Sequence, residues 1–371
     1  MKANPIGLYV HLPFCKRKCN YCDFCSYTDI SSEVRRKYIE RLKAEIYEYS
    51  KKGISADTVF FGGGTPSLLT PSEIDEILSL LRVCFDISPC AEVTLEANPG
   101  TVTEESLRGY SEAGINRLSF GLQSIHENEL KILGRIHSFE DFLSSYKAAR
   151  RVGFNNISID LMYGLPEQTV SSFEETLRAV ISLAPEHISV YGLILEEGTP
   201  LFAKQKELAL PSEDDECDMY ELAAKLLCDV GYSHYEISNY ARCGFECRHN
   251  LKYWRAEEYI GFGVAAHSYF EGARIYNPDS IEAYLSGEEH LVSELPSREE
   301  YAFEYAMLKL RLKEGLSLGE YEELFGAPFR YGREAKLCEL SKLGLIKLDK
   351  DRLSLTDKGF YVSNSILSEL L

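Results

Sequence analysis

Apolar positions in the first two hundred residues switch between two periods, and the switching predicts an architecture. Runs with every second residue apolar suit strands, whereas runs with apolar residues three and four apart suit helices. Gly7-Leu-Tyr-Val-His-Leu-Pro13 is the first strand-like run. Residues 31–52 follow with Val34, Tyr38, Ile39, Leu42, Ile46 and Tyr49 at helical spacing. A buried strand then runs from Asp57 into Gly62, Gly63 and Gly64, and a helix covers 71–85. Strand patterns recur at 92–97, 117–121, 156–162 and 187–195. Helical patterns over 104–113, 126–133, 138–152 and 171–183 separate them.

Six such β-then-α steps with short connections predict a parallel sheet, because each crossover between parallel strands needs an intervening helix. Polar residues mark the strands: Tyr9 and His11, Thr65, Glu96 and Asn98, Gln123 and Ser124, Asp160, Tyr191 and Glu196. That distribution fits a partial (β/α)6 TIM-like barrel, an α/β fold that carries its chemistry at the C-terminal ends of its strands. A transition at 200–211 leads into an acidic helix start (Glu213, Asp214, Asp215, Glu216), and an aromatic, irregular stretch fills 231–290. Helical patterns at 299–312, 318–325 and 332–343, then a hairpin turning at 349–351, predict a small helical, winged-helix-like C-terminal domain. The expected division is a core at 1–200, a connecting region at 201–290 and a C-terminal unit at 291–371.

Charge narrows the partners. The formal net charge of −18, from 58 acidic and 40 basic residues, argues against nucleic acid and anionic membranes, which need a basic surface. A winged-helix-like unit on such a chain suits packing or a partner contact better than DNA. No run approaches the ~18 apolar residues of a membrane span, and the start of the chain lacks a signal-peptide pattern. Eleven cysteines without export predict a reducing cytoplasm, where clustered thiols serve metals more often than disulfides.

Cys15, Cys19 and Cys22 follow the first strand at C-x3-C-x2-C spacing. Three thiolates on one loop suit three irons of a [4Fe–4S] cluster and leave the fourth iron open. A zinc knuckle is the alternative, with Cys25 as the fourth ligand that zinc requires. Gly62-Gly63-Gly64-Thr65 at the end of the second strand frees backbone N–H groups and lets a ligand approach closely. Glu96, at a strand end, suits ribose hydroxyls.

The cysteine spacing resembles the signature of the radical S-adenosylmethionine (SAM) enzymes, in which the open iron takes the amino and carboxylate groups of SAM. Further segments occur in the order seen in the oxygen-independent coproporphyrinogen III oxidase family. They are Tyr9-Val-His-Leu-Pro-Phe-Cys, Phe-Gly-Gly-Gly-Thr-Pro, Glu-Ala-Asn-Pro, Phe-Gly-Leu-Gln-Ser, Leu-Gly-Arg-Ile-His and Ile-Asp-Leu-Met-Tyr-Gly-Leu-Pro. The resemblance covers nearly the whole chain. It implies SAM contacts at Tyr9, Tyr21, Gly63, Gly64, Thr65, Glu96, Gln123, Arg135 and Asp160, with Arg135 suited to the SAM carboxylate. It makes Cys25 a bystander, because a fourth thiolate would occupy the iron that SAM needs.

Two branches of that family compete. The decarboxylase branch has an N-terminal extension and a C-x-C fourth cysteine, which this chain is expected to lack. The heme chaperone branch is marked by H-N-x-x-Y-W, present as His249-Asn-Leu-Lys-Tyr-Trp254, and by a downstream glycine segment in which Ala265 replaces one glycine. The expected function is therefore heme binding and transfer to an apo-haemoprotein, with coproporphyrinogen oxidation as the alternative. His249 stands between two roles, axial ligand to heme iron or hydrogen-bonded core histidine; His267 is a second candidate. Cys243 and Cys247 lie near His249 at C-x3-C-x-H, not the C-x-x-C-H of covalent heme attachment. No catalytic residue is assigned. If SAM is cleaved, an electron donor such as flavodoxin or ferredoxin is required.

Overall fold

The computed structural model describes residues 4–50, 53–287, 291–292 and 295–371. Six strands alternate with helices over the first half of the chain. They are β1 (Ile6–Leu12), α1 (Ser32–Tyr47), β2 (Ser55–Gly63), α2 (Pro71–Cys84), β3 (Asp86–Ala97), α3 (Glu104–Ala113) and β4 (Arg117–Gln123). After these come α4 (Glu127–Ile132), α5 (Phe139–Val152), β5 (Ile157–Tyr163), α6 (Val170–Ser182) and β6 (His187–Gly192). β1 to β6 lie side by side in chain order, all parallel. The helices begin where side chains can hold the free N–H groups of a first turn. Thr70 with Glu73, Thr103 with Ser106 and Ser138 with Asp141 each form a reciprocal capping box. Gly114 and Gly153 end α3 and α5 in the left-handed conformation, which a β-carbon would oppose.

Strand alternation sorts side chains onto two faces. Leu8, Val10, Val59, Phe61, Leu95, Phe120, Ile159 and Ile188 are fully buried and pack in the main core with the helices. The opposite face turns into the lumen of the curled sheet and is polar. Register places Thr58 beside Glu92, Glu96 beside Ser119 and Asp160 beside Ser189. The fold is thus the expected partial barrel. The sheet is open, and its further strands come from the stretch that reads as irregular in sequence.

After α7 (Pro200–Ala203) and α8 (Glu213–Asp229), β7 (Ser233–Glu236) and β8 (Asn239–Ala241) extend the sheet antiparallel beyond β6. Beyond α9 (Arg248–Trp254), β9 (Tyr259–Phe262) pairs parallel with β1. β10 (His267–Phe270) and β11 (Ala273–Tyr276) continue that edge, and β12 (Leu291–Val292) ends it after α10 (Ile281–Ser286). Among the described residues the sheet therefore has twelve strands. Strands of three or four residues are too short to show a period, so their place is set by edge pairing and not by local pattern. Bounds also move: the first helix, expected over 31–52, is α1, the third strand, expected over 92–97, begins at Asp86, and the sixth strand, expected over 187–195, ends at Gly192. Residues 51 and 52 lie outside the described residues.

The C-terminal unit has winged-helix order: α11 (Arg298–Lys309), β13 (Leu316–Ser317), α12 (Leu318–Phe325), α13 (Glu334–Lys342), β14 (Ile346–Leu348) and β15 (Arg352–Leu355). Two short helices close it, α14 (Asp357–Tyr361) and α15 (Ser363–Leu370). Its own core contains Tyr305, Leu316, Phe329, Leu353 and Phe360, and Tyr220 of α8 joins it. The Ile237 N–H to Arg311 carbonyl bond (3.0 Å) and the Lys313 N–H to Tyr235 carbonyl bond (3.0 Å) fasten it beside β7.

α9 closes the lumen at the N-terminal ends of the strands. Glu92, buried on β3, accepts the backbone N–H of Arg248 (3.2 Å) and of His249 (3.1 Å). Lys252 is buried beside it and paired with Asp57 (2.9 Å) and Glu257 (3.1 Å). One carboxylate thus satisfies a helix start that would otherwise be orphaned. Glu92→Ala is expected to cost about 3–6 kcal/mol, two hydrogen bonds to a charged group at about 1.5–3 kcal/mol each. Glu92→Gln, which keeps one acceptor, should cost less, and urea unfolding midpoints measure both.

Candidate functional site

The cysteine loop is held against the strand ends from three sides. The Tyr27 N–H bonds the Pro13 carbonyl (2.7 Å), and the Cys15 N–H bonds the Tyr27 carbonyl (2.9 Å). Asn20 ties the loop to the turn after α4, through its N–H to the Leu133 carbonyl (2.9 Å) and its side-chain amide to the Ile132 carbonyl (2.8 Å). The third tie is His11, whose Nε2 donates to the Cys25 carbonyl (2.8 Å). That acceptor fixes the tautomer, so Nδ1 is free to accept from the Tyr9 hydroxyl at 3.1 Å. Burial holds the His11 pKa below its ordinary value, which keeps the ring neutral in this role.

The glycine loop lies directly beneath. A β-carbon on Gly64 would sit 2.7 Å from the Phe14 carbonyl oxygen and 2.9 Å from its nitrogen. One on Gly63, whose φ is +110°, would strike the His11 ring. Gly64 is therefore required by the close approach of the chain entering the cysteine loop, and Gly63 by the His11 ring, apart from any ligand. Next in the chain, the Thr65 hydroxyl lies 3.7 Å from the Cys15 sulfur. Arg135 Nη1 lies 3.4 Å from the Cys19 sulfur. Arg135 Nη2 also bonds the Gly121 carbonyl (2.5 Å) and Asn98 Oδ1 (2.6 Å).

The four cysteines of the loop differ in surroundings. All are half-buried free thiols. Burial raises the Cys15 and Cys22 pKa values, and Cys19 raises both further. For Cys25 the charges that matter after burial are Lys18 and Asp279, and its sulfur lies 3.4 Å from the Asp279 carbonyl. The first three thiols thus interact with one another, and the fourth faces away. Three mutually interacting soft sulfurs on one loop, with a guanidinium beside them, fit a cluster held by thiolates.

Tyr9, Gly63, Glu96 and Asp160 meet in the lumen, around a cavity of about 240 Å³ that Phe24, Phe60, Arg117, Tyr191 and His249 also line. The Glu96 pKa is pushed up to about 8 by burial and by Asp160. Burial likewise raises Asp160, against hydrogen bonds from Ser119 at 3.1 and 3.2 Å. Arg117 is buried beside them, and among the described residues its Nε has no hydrogen-bond partner. A lumen with two carboxyls of raised pKa can accept or donate hydrogen bonds to hydroxyls according to their protonation. Gln123 ends β4 at a bulge with φ +70°, and its amide lies beside Gly121, next to Arg135. Tyr21 adjoins Arg135 and Cys19, and burial raises its pKa.

His249 lines the deep end of the same cavity, on the floor of the lumen at the strand ends opposite the cysteine loop. Both ring nitrogens are bonded, Nδ1 to the Thr58 hydroxyl (2.8 Å) and Nε2 to the Tyr253 hydroxyl (2.8 Å). The ring stacks on Phe60 at 5.2 Å. His267 lies on β10 against Tyr276. Cys247 is buried with its sulfur 3.7 Å from Glu92, while Cys243 is exposed.

Of the residues central to this geometry, His11 and Asn98 mark strands in the sequence without a ligand assigned to them, and Arg117 is not marked at all. Asn98 had a signal, two residues after Glu96 on the same strand face. Arg117 had only its alternation with Ser119.

Comparison with known proteins identifies the class. Residues 9–180 match the radical SAM superfamily and residues 297–362 the HemN C-terminal domain. The structure of Escherichia coli coproporphyrinogen III oxidase (HemN), described as a radical SAM enzyme, superposes with a TM-score of 0.86. It is 25% identical, over 99% of this chain and 90% of that one. The chain is thus a radical SAM protein, a class that implies a [4Fe–4S] cluster and SAM. Among curated relatives, the heme chaperone HemW of Lactococcus lactis subsp. lactis is 34% identical over 100% of this chain and 98% of its own length. That of Bacillus subtilis is 36% identical over 98% of both, and that of Escherichia coli 40% over 72% of this chain and 71% of its own length. This chain belongs to the heme chaperone HemW family. Among the described residues no helix is long and apolar enough to cross a membrane.

The raised Glu96 pKa makes a pH prediction. Below the ordinary value of 4.5 both folded and unfolded states hold the proton; between 4.5 and about 8 only the folded state keeps it. Stability should therefore fall as pH rises through that window and then level off. Glu96→Gln should flatten that slope, as read by denaturant unfolding at both ends of the window without added SAM.

Proposed function

We propose that this protein binds heme and transfers it to an apo-haemoprotein in the cytoplasm. A [4Fe–4S] cluster would be held by Cys15, Cys19 and Cys22, and SAM by Tyr9, Tyr21, Gly63, Gly64, Thr65, Glu96, Gln123, Arg135 and Asp160. The observation that carries the proposal is the joining of this cysteine and glycine site, in one chain, to the His249–Trp254 helix, with full-length similarity to heme chaperones. Eleven free thiols suit a reducing compartment. When bound, the cluster and SAM supply one-electron chemistry at the open iron.

The chain's own residues define the rest. Arg135 Nη2 spends both protons on Asn98 and Gly121 and Nη1 one on Cys19, so the second Nη1 proton remains for the SAM carboxylate. Glu96 and Asp160 face ribose-like hydroxyls from the lumen wall. In this reading His249 would be a ligand to heme iron through Nε2, whose present partner is the Tyr253 hydroxyl. Burial, with Lys252 and Arg117 nearby, pushes the His249 pKa down to about 3. The imidazole therefore keeps a lone pair for iron at any working pH.

Anaerobic reconstitution should give about four irons and four sulfides per chain. Cys15→Ala, Cys19→Ala or Cys22→Ala should abolish the cluster, and Cys25→Ala should spare it. Colourless protein with one tightly held zinc would end this reading.

Heme titration separates the ligand from the transfer function. Tyr253→Phe frees Nε2 and should tighten heme binding about 3- to 10-fold, the equivalent of one neutral hydrogen bond. His249→Ala should remove the imidazole signature from the heme spectrum. Unchanged binding in both variants removes His249 as ligand and leaves heme transfer standing. A second reading, oxidation of coproporphyrinogen, is favoured by the superposition with the Escherichia coli oxidase. Anaerobic turnover with SAM tests it, and no protoporphyrinogen is expected.

A further inference from the structure

We propose that Asn98 is a positioning residue that aims hydrogen-bond donors at two of the three cluster-binding sulfurs and thereby raises the reduction potential of the cluster. The inference rests on the assignment of the cluster to Cys15, Cys19 and Cys22.

Its basis is a chain of hydrogen bonds with one permitted direction. Arginine only donates. Arg135 Nη2, 2.6 Å from the Asn98 side chain, therefore faces the amide oxygen. That orientation leaves Asn98 Nδ2 to donate to the Thr65 hydroxyl at 2.7 Å. With its oxygen accepting from Asn98, Thr65 directs its own proton to the Cys15 sulfur at 3.7 Å. On the other arm, holding Arg135 Nη2 aims Nη1 at the Cys19 sulfur at 3.4 Å. One amide thus directs both donors. The third sulfur is independent, since Cys22 takes its hydrogen bond from the backbone at Phe24.

Asn98 is itself rigidly held. Its N–H donates to the Ser67 hydroxyl (3.3 Å), and its carbonyl accepts from the Thr101 hydroxyl (2.7 Å) and the Thr101 N–H (3.1 Å). A side chain fixed at its root can fix the side chains it bonds. The hydroxyl between Ser67 and Thr101 (2.7 Å) closes the turn behind it.

Donors aimed at cluster sulfurs favour the reduced, more negative state, so they raise the potential. Removing them makes the cluster harder to reduce. The Gly121 carbonyl keeps part of the Arg135 orientation when Asn98 is truncated, so the two arms should not contribute equally.

The test is redox titration and electron paramagnetic resonance of reconstituted wild type, Asn98→Ala, Thr65→Val and the double variant. Iron content and melting curves check that each has folded and filled. The expected result is a more negative potential and altered g-values in Asn98→Ala. Thr65→Val should shift the potential less, and Asn98→Ala should shift it less in the Thr65→Val background than in wild type, because one arm is already gone. An unchanged potential and spectrum in Asn98→Ala overturns the proposal, as does full additivity of the two shifts. Wild type that takes up no cluster would instead remove the cluster assignment.

Discussion

Curling six parallel strands around polar side chains buries Glu92 and Arg117 and leaves Glu96 and Asp160 half-buried on the wall of a cavity. Charges in such a place must find partners or change protonation. The two ends of the lumen solve this differently. At the floor, Glu92 satisfies the start of α9 and lies near Arg117, while His187 is bonded to Ser158 and Tyr235 at 2.8 Å each. At the mouth, the carboxyls of Glu96 and Asp160 have raised pKa values and hydrogen bonds to the Gly63 N–H and to serines. α9 closes the floor, and the cavity between floor and mouth is lined from both ends, by His249 and Arg117 below and by Glu96 and Asp160 above.

That division explains the placement of the cysteines. They sit over the open end, on a loop whose backbone is tied to β1, to the glycine loop and to the turn after α4. Close contact with Gly64 and the His11 bond to the Cys25 carbonyl give the loop a defined height above the lumen. Three thiols then interact over a lumen containing Glu96 and Asp160, with Arg135 between loop and lumen. The motif segments of the sequence are therefore also the packing contacts that hold the site together.

Much of this was legible beforehand. The cysteine spacing, the glycines at a strand end and the charged residues on β3 and β5 are local features, and alternation alone put them on one side of a parallel barrel. The stretch 231–290 was less legible. Its strands pair with one another and extend edges supplied by β1 and β6, and α9 sits where it does because Glu92, some 150 residues earlier, accepts its N–H groups. His249 shows the same limit. Its motif is visible, but only the distant Thr58 and the nearby Tyr253 reveal that both ring nitrogens are bonded.

The sequence by itself determined the alternating βα order, the three-thiol loop and the charge pattern of the strands, because each depends on spacing along the chain. Tertiary structure decided which polar side chains share a lumen, which cysteine faces away, and that Asn98 joins Thr65 to Arg135. Those outcomes depend on donors and acceptors brought within about 3 Å from remote segments, and hydrogen-bond direction has no representation in residue order.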